Sequence, residues 1–173
     1  MLKDSLDGSK MIAISLLEPG WEEKEEPYPS YDLIGVGYVR ACVTNHDGTS
    51  HIILHGIGRA KIRRYIQMTP YRMAEVVEVP DEEANPKALR PLVKRLKELF
   101  IKKVRLASET PQAKIQDAEE LNQPRFLASI CAHTAQIDFE EKQKLLEDTS
   151  LEHRLLRLIE LLGEELFPKG SMN

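Results

Sequence analysis

The residues of this 173-residue chain whose types could do chemistry are its histidines, its two cysteines and a few glycine clusters. His51 and His55 stand four apart in a run that reads as a strand, on one face, where both could approach a metal ion. No acid or thiolate sits at a supporting spacing, and a zinc site needs three or four such ligands. No metal is therefore expected. Cys42 and Cys131 form no CxxC pair and lie in apolar stretches, so they read as buried small hydrophobes. Gly8-Ser9-Lys10 and Gly56-Ile57-Gly58 lack the GxxxxGK[ST] spacing whose backbone amides cradle phosphates. Gly56 and Gly58 are expected instead to let one strand turn into the next. No serine occupies a GxSxG elbow. No catalytic residue and no cofactor are expected.

Two groups remain as binding candidates. The stretch WEEKEEPYPSYD, residues 21–32, is acidic and proline-bearing, reads as a long exposed loop, and carries Trp21, Tyr28 and Tyr31. Large aromatics in a polar loop are over-represented at binding surfaces, which makes these three the candidates for holding a polypeptide. The other reading, that they fold back over one mouth of a barrel, stays open. Arg59, Lys61, Arg63 and Arg64 alternate along a strand and then break pattern. They form either a nucleic-acid patch or the solvent face of an edge strand, where positive charge discourages aggregation. The formal net charge of −4 opposes a nucleic-acid partner. The edge-strand reading is preferred.

The composition, 42% hydrophobic and 30% charged, is that of an ordinary globular chain. No apolar run reaches the roughly 18 residues of a membrane span, and the polar N-terminal ten residues do not read as a signal peptide. A cytoplasmic protein with no membrane partner is expected. Residues 1–84 read as strands. The expected segments are Lys10–Leu17, Leu33–Thr44, Ser50–Gly56, Arg59–Gln67 and Tyr71–Val79, with a hairpin turn at Asp47-Gly48. Five short strands indicate a meander or partial barrel.

Residues 85–168 change to a helical period. Asn85-Pro86 is a start signal for a helix running to about Ser108. Its apolar side includes Leu89, Val93, Leu96 and Phe100, and its other positions are strongly basic. That basic face reads as solvated or as a partner for the acidic loop. A polar helix is expected over Gln112–Leu121, and another over Gln123–Ala135, capped by Asn122, with Phe126, Leu127, Ile130 and Cys131 inward. Asp138 and Glu141 form a capping box for the next, burying Phe139, Leu145 and Leu146. Thr149 or Ser150 caps a last helix, Leu151–Phe167, whose leucine stripe docks on protein. Residues 169–173 read as a frayed tail.

The ordered series MIAISLLEPGWEE, GVGYV, DGTSHIILHGIGRAKI, PYRMAEVVEV and IDFEEKQKLLEDTSLEHRLLRLIELLGEEL resembles the N-terminal substrate-recognition domain of Lon-type ATP-dependent proteases, the kind of domain also found in cereblon. The resemblance spans roughly residues 5–167. It implies an α+β fold, a PUA-like β-barrel followed by a helical bundle. It also implies a non-catalytic module that binds polypeptide substrates or a protein partner, with ATPase and peptidase activity supplied by other domains. RNA binding, known of PUA-like barrels, is the alternative. Family members usually begin with two strands and an LPLHIFEPRY-like motif that has no counterpart here; Leu2–Leu6 looks like the remainder of the helix that follows it. The barrel is thus expected to lack its opening strands and to expose a strand edge, through which the chain would self-associate.

Overall fold

The structure is a computed structural model that describes residues 1–107 and 120–168. The end of the long helix at Ser108, most of the helix expected over Gln112–Leu121 and the tail 169–173 lie outside the described residues. The chain divides into two compact units, Met1–Pro80 and Asp81–Asn173.

The first unit carries helix α1 (Leu2–Asp7) and strands β1 (Met11–Ile14), β2 (Leu33–Thr44), β3 (Ser50–Gln67) and β4 (Met73–Glu78). All pair antiparallel in the order β1-β2-β3-β4. The sheet is open, with β1 and β4 as its edges, as expected of a barrel that lacks its opening strands. Four strands replace the expected five because β3 runs unbroken through Gly56 and Gly58. What was read there as a turn is a bulge: Val36 faces Gly58, Gly37 faces Gly56, and Ile57 is the extra residue. Further irregularities fall at Arg40 in β2 and at Arg63 and Ile66 in β3. Each extra residue bends and twists the strand without breaking its ladder. The hairpin forms at the expected place, with Gly48 at φ 84° and the Asp47 carboxylate accepting from the Thr49 amide at 2.9 Å.

Few side chains are buried in this unit. Ile34 lies opposite Ala60, and Ile12 opposite Gly37, on alternate faces of β2. A Cβ at Gly37 would run into the Leu54 side chain and the His55 carbonyl, so the glycine is what lets Leu54 lie flat on the sheet. Helix α1 is held to the strands by Ser5, whose hydroxyl donates to the Met11 carbonyl at 3.0 Å. A hydrogen bond from the Tyr71 hydroxyl holds the Asp4 carboxyl below the usual aspartate range.

The second unit packs α2 (Pro86–Ala107), a 3-10 turn (Glu120–Asn122), α3 (Pro124–Thr134), α4 (Phe139–Glu147) and α5 (Leu151–Leu166) around one continuous core. Leu96, Leu127, Leu155, Leu158, Leu162 and Cys131 are its fully buried side chains. Asn85 caps α2 by accepting from the Lys87 amide at 3.0 Å. Asp138 caps α4 by accepting from the Glu141 amide at 2.6 Å, and Ser150 caps α5. Three expectations fail. Asn122 does not cap α3; Gln123 stands at that position without a side-chain bond, and Asn122 instead accepts from Lys97 Nζ at 2.9 Å. The capping box is one-sided, because the Glu141 carboxylate is taken by Arg157 at 2.8 Å. Phe126 and Phe139 are exposed, since the helix phase that buries Leu127, Cys131 and Leu145 turns them outward. The unit's first residues are anchored by ion pairs: Asp81 bridges Arg125 at 2.7 Å and Arg154 at 2.5 Å. Beside them, Glu82 accepts from the Thr149 hydroxyl at 2.6 Å.

Candidate functional site

The segment carrying the three aromatics is not a free loop. Its two ends pair as antiparallel strands do. Leu17 bridges Ser30, the Glu18 amide donates to the Pro29 carbonyl and the Tyr31 amide to the Leu16 carbonyl. Ser15 Oγ closes the neck by donating to the Tyr31 carbonyl at 2.8 Å. Within the loop Gly20, at φ 76°, opens a 3-10 turn over Trp21–Glu23. The turn sets the Trp21 ring edge-on to Tyr28, centroids 5.1 Å apart and planes at 74°. Such T-shaped pairs add about 0.5–1.5 kcal/mol beyond their burial. Trp21, Tyr28 and Tyr31 are all half-buried. Trp21 and Tyr28 form one platform, and Tyr31 belongs to the neck.

Arg72, which the sequence reading passed over, ties this loop to the sheet. Its guanidinium donates to the Tyr28 carbonyl at 2.5 Å and to Ser30 Oγ at 3.5 Å, and lies 5.7 Å from the centre of the Tyr65 ring. The Tyr65 hydroxyl is in turn 3.2 Å from Ser30 Oγ. One planar, five-donor group thus serves a carbonyl, a hydroxyl and an aromatic face at once, which suits arginine and not lysine. The only sequence signal was its place in the PYRMAEVVEV segment.

The sheet unit presents aliphatic side chains to solvent along its length, from Ile14 near the loop to Val43 and Ile53 near the hairpin turn: Ile14, Val43, Ile53, Ile57 and Ile66 are each more than half exposed. Scattered exposed aliphatics are normal, but this number in a unit with so few buried ones is not. The four basic residues of β3 do not form one face. Arg59 is buried and donates from Nε to the Val79 carbonyl at 3.0 Å. Arg64 is paired with Glu75 across the ladder at 2.6 Å. Lys61 and Arg63 remain exposed. β3 is moreover an interior strand, which corrects the edge-strand reading. His51 and His55 lie opposite Val43 and Tyr38, both exposed. Among the described residues no three His, Cys, Asp or Glu side chains are grouped as metal ligands would be. Cys131 is fully buried, and desolvation pushes its thiol up to about 12; Cys42 is half-buried, a departure from expectation.

A concave feature belongs to the helical unit. A groove of about 610 Å³ runs along the first three turns of α2 and is walled on its far side by Asn122 and Pro124. Pro86, Leu89 and Val93 make its floor, and Arg90, Lys94 and Lys97 its rim. The expectation for this face was solvation or pairing with the acidic loop.

Residues 1–164 match the family described as the ATP-dependent protease La (LON) substrate-binding domain. The chain belongs to the Lon substrate-binding domain family. The Lon protease of Syntrophomonas wolfei is 26% identical over 165 residues, covering 95% of this chain and 20% of that protein. Lon protease 3 of Sorangium cellulosum is 30% identical over 145 residues, covering 82% and 17%. This Lon domain therefore spans about a fifth of the length of the curated relatives it matches. Its fold is that of the N-terminal domain of the Mycobacterium avium complex Lon protease, with a TM-score of 0.61 at 16% identity, covering 88% of this chain and 90% of that one. No helix among the described residues is long and apolar enough to cross a membrane.

Proposed function

We propose that this Lon substrate-binding domain is a non-catalytic module that holds unfolded polypeptide segments on its sheet unit, with the Trp21–Tyr28 platform as one contact. The observation that carries the reading is the surplus of solvent-facing aliphatics in the same unit that holds an anchored aromatic pair. Unfolded segments offer apolar side chains in no fixed order, and an open apolar sheet recognises them by area instead of by geometry. Burying such surface contributes about 25 cal/mol per Å², so a few engaged isoleucines give useful affinity without a deep pocket. The strands also supply hydrogen bonds, because an edge strand presents unpaired amides and carbonyls to an extended chain. The same property supports self-association through β4, which pairs on one side only.

The test is a peptide array probed with the folded chain. Peptides rich in aliphatic and aromatic residues are expected to bind without nucleotide and to be recovered intact. No binding above background with a folded sample overturns the proposal, and so does cleavage of bound peptides. For self-association, light scattering is expected to show mass rising with concentration, and a monodisperse monomer at all concentrations removes that part. The RNA alternative has lost its best support, since Arg59 is buried and Arg64 is neutralised.

A further inference from the structure

We infer that the groove along α2 is a separate docking site for a short acidic peptide segment that carries apolar side chains between its carboxylates. The groove pairs two chemistries at helical spacing. Residues 86, 89 and 93 place apolar surface on its floor, and residues 90, 94 and 97 place cations along its rim. Among the described residues no carboxylate lines it. Several other basic groups of the helical unit are already engaged: Lys103 with Glu165 at 2.7 Å, Arg154 with Asp81, and Arg157 with Glu141. Lys97 bonds Asn122. Arg90 and Lys94 have no ion-pair partner among the described residues and are exposed beside an apolar floor. The partner that complements them is anionic and apolar together.

Dimensions narrow the occupant further. From Pro86 to Lys97 the helix rises about 16 Å, which an extended chain covers in about five residues. Arg90 and Lys94 are separated by about 6 Å along the axis, close to the roughly 7 Å between same-face side chains of an extended strand. On such a segment alternate side chains point to opposite faces, so apolar groups at every second position lie on Leu89 and Val93 while the carboxylates between them point outward, where the long exposed Arg90 and Lys94 side chains reach them. Nucleic acid fits less well: it brings phosphates but no aliphatic surface for the floor, and the chain as a whole is net negative.

The probe is a rhodamine-labelled peptide of alternating Glu and Leu, five residues long, followed by fluorescence anisotropy with the whole chain. Saturable binding is expected, weakening at least threefold between 50 and 300 mM salt as roughly two charge contacts require. Replacing Glu by Gln, or Leu by Ser, is expected to weaken it at least threefold. Arg90→Glu with Lys94→Glu is expected to weaken it tenfold or more. Arg95→Glu with Arg105→Glu, which alters α2 cations that do not line the groove, should leave it within twofold. All four positions are exposed, so folding is checked simply by matching thermal melts. Absent binding, equal binding of the Gln peptide, or equal loss with the Arg95 and Arg105 pair overturns the inference. Displacement of the peptide by a ten-nucleotide RNA that binds more tightly overturns it also. The site is distinct from the sheet unit: binding here should leave Trp21 emission unchanged, so either proposal can fail without the other.

Discussion

Arg72 reaches the Tyr28 carbonyl, the Ser30 hydroxyl and the Tyr65 ring from a single half-buried position. Truncating it leaves two acceptors and an aromatic face without their donor. Arg72→Ala is expected to cost about 1–2 kcal/mol in urea unfolding and to shift the emission of Trp21, the chain's single tryptophan. Arg72→Lys should recover little of either, because an ammonium cannot serve all three groups. The thiols make a second contrast at this scale. With its thiol raised to about 12, Cys131 stays protonated at neutral pH and shielded by the core. Ellman's reagent is expected to modify at most Cys42 in the native chain, and Cys131 only after unfolding; two fast-reacting native thiols contradict the packing. Glu141 supplies the pH dependence. Its hydrogen bond from Arg157 lowers its carboxyl below the usual glutamate range. A group depressed on folding stabilises the fold above its unfolded value, and the gain is lost as pH falls through the folded one. Glu141→Gln should therefore cost a few tenths to about 1 kcal/mol at pH 7, with the difference from the parent chain closing as the pH drops below 4.

Helix α2 contains a proline, Pro91, well past its first turn. There the ring removes a bond to the Lys87 carbonyl and crowds it, a cost of about 3 kcal/mol in an unconstrained helix. Pro91 is exposed and does not line the groove, so Pro91→Ala is expected to raise stability by about 1–3 kcal/mol and leave groove binding unchanged. A destabilised variant contradicts this. Legibility in the sequence followed the strength of local signals at this scale. β2, α2's start and α5's stripe read cleanly because alternation, an Asn-Pro cap and a leucine period of 3.6 are local facts. The bulge at Ile57 did not, because glycines at 56 and 58 fit a turn as well as a continuous strand with an extra residue. Phe126 and Phe139 were misplaced because an aromatic near a helix start invites burial, while the true phase is set by Leu127 and Leu145 entering the common core.

The two units differ in how they are held. The helical unit has a continuous leucine-rich core, whereas the sheet unit buries two small patches and leaves aliphatics outside. Amide exchange should show it: protection near Leu96, Leu127 and Leu155 is expected to exceed that of the β2–β3 hairpin end, residues 39–54, by orders of magnitude. Uniform protection contradicts the difference. At this scale the ordered motif series pointed to the Lon family and to the strand-then-helix arrangement. It also pointed to an incomplete barrel with an exposed edge, while the Arg72 anchor and the groove were beyond it, since each depends on groups far apart in sequence meeting in space. The central claim, polypeptide binding at the sheet unit, is tested most directly by titrating a reduced, carboxymethylated unfolded protein into the chain while following Trp21 fluorescence. A saturable change without nucleotide, weakened by Tyr28→Ala in a folded variant and accompanied by no cleavage, is the predicted result. Binding that leaves Trp21 emission unmoved, or no binding at all, contradicts it.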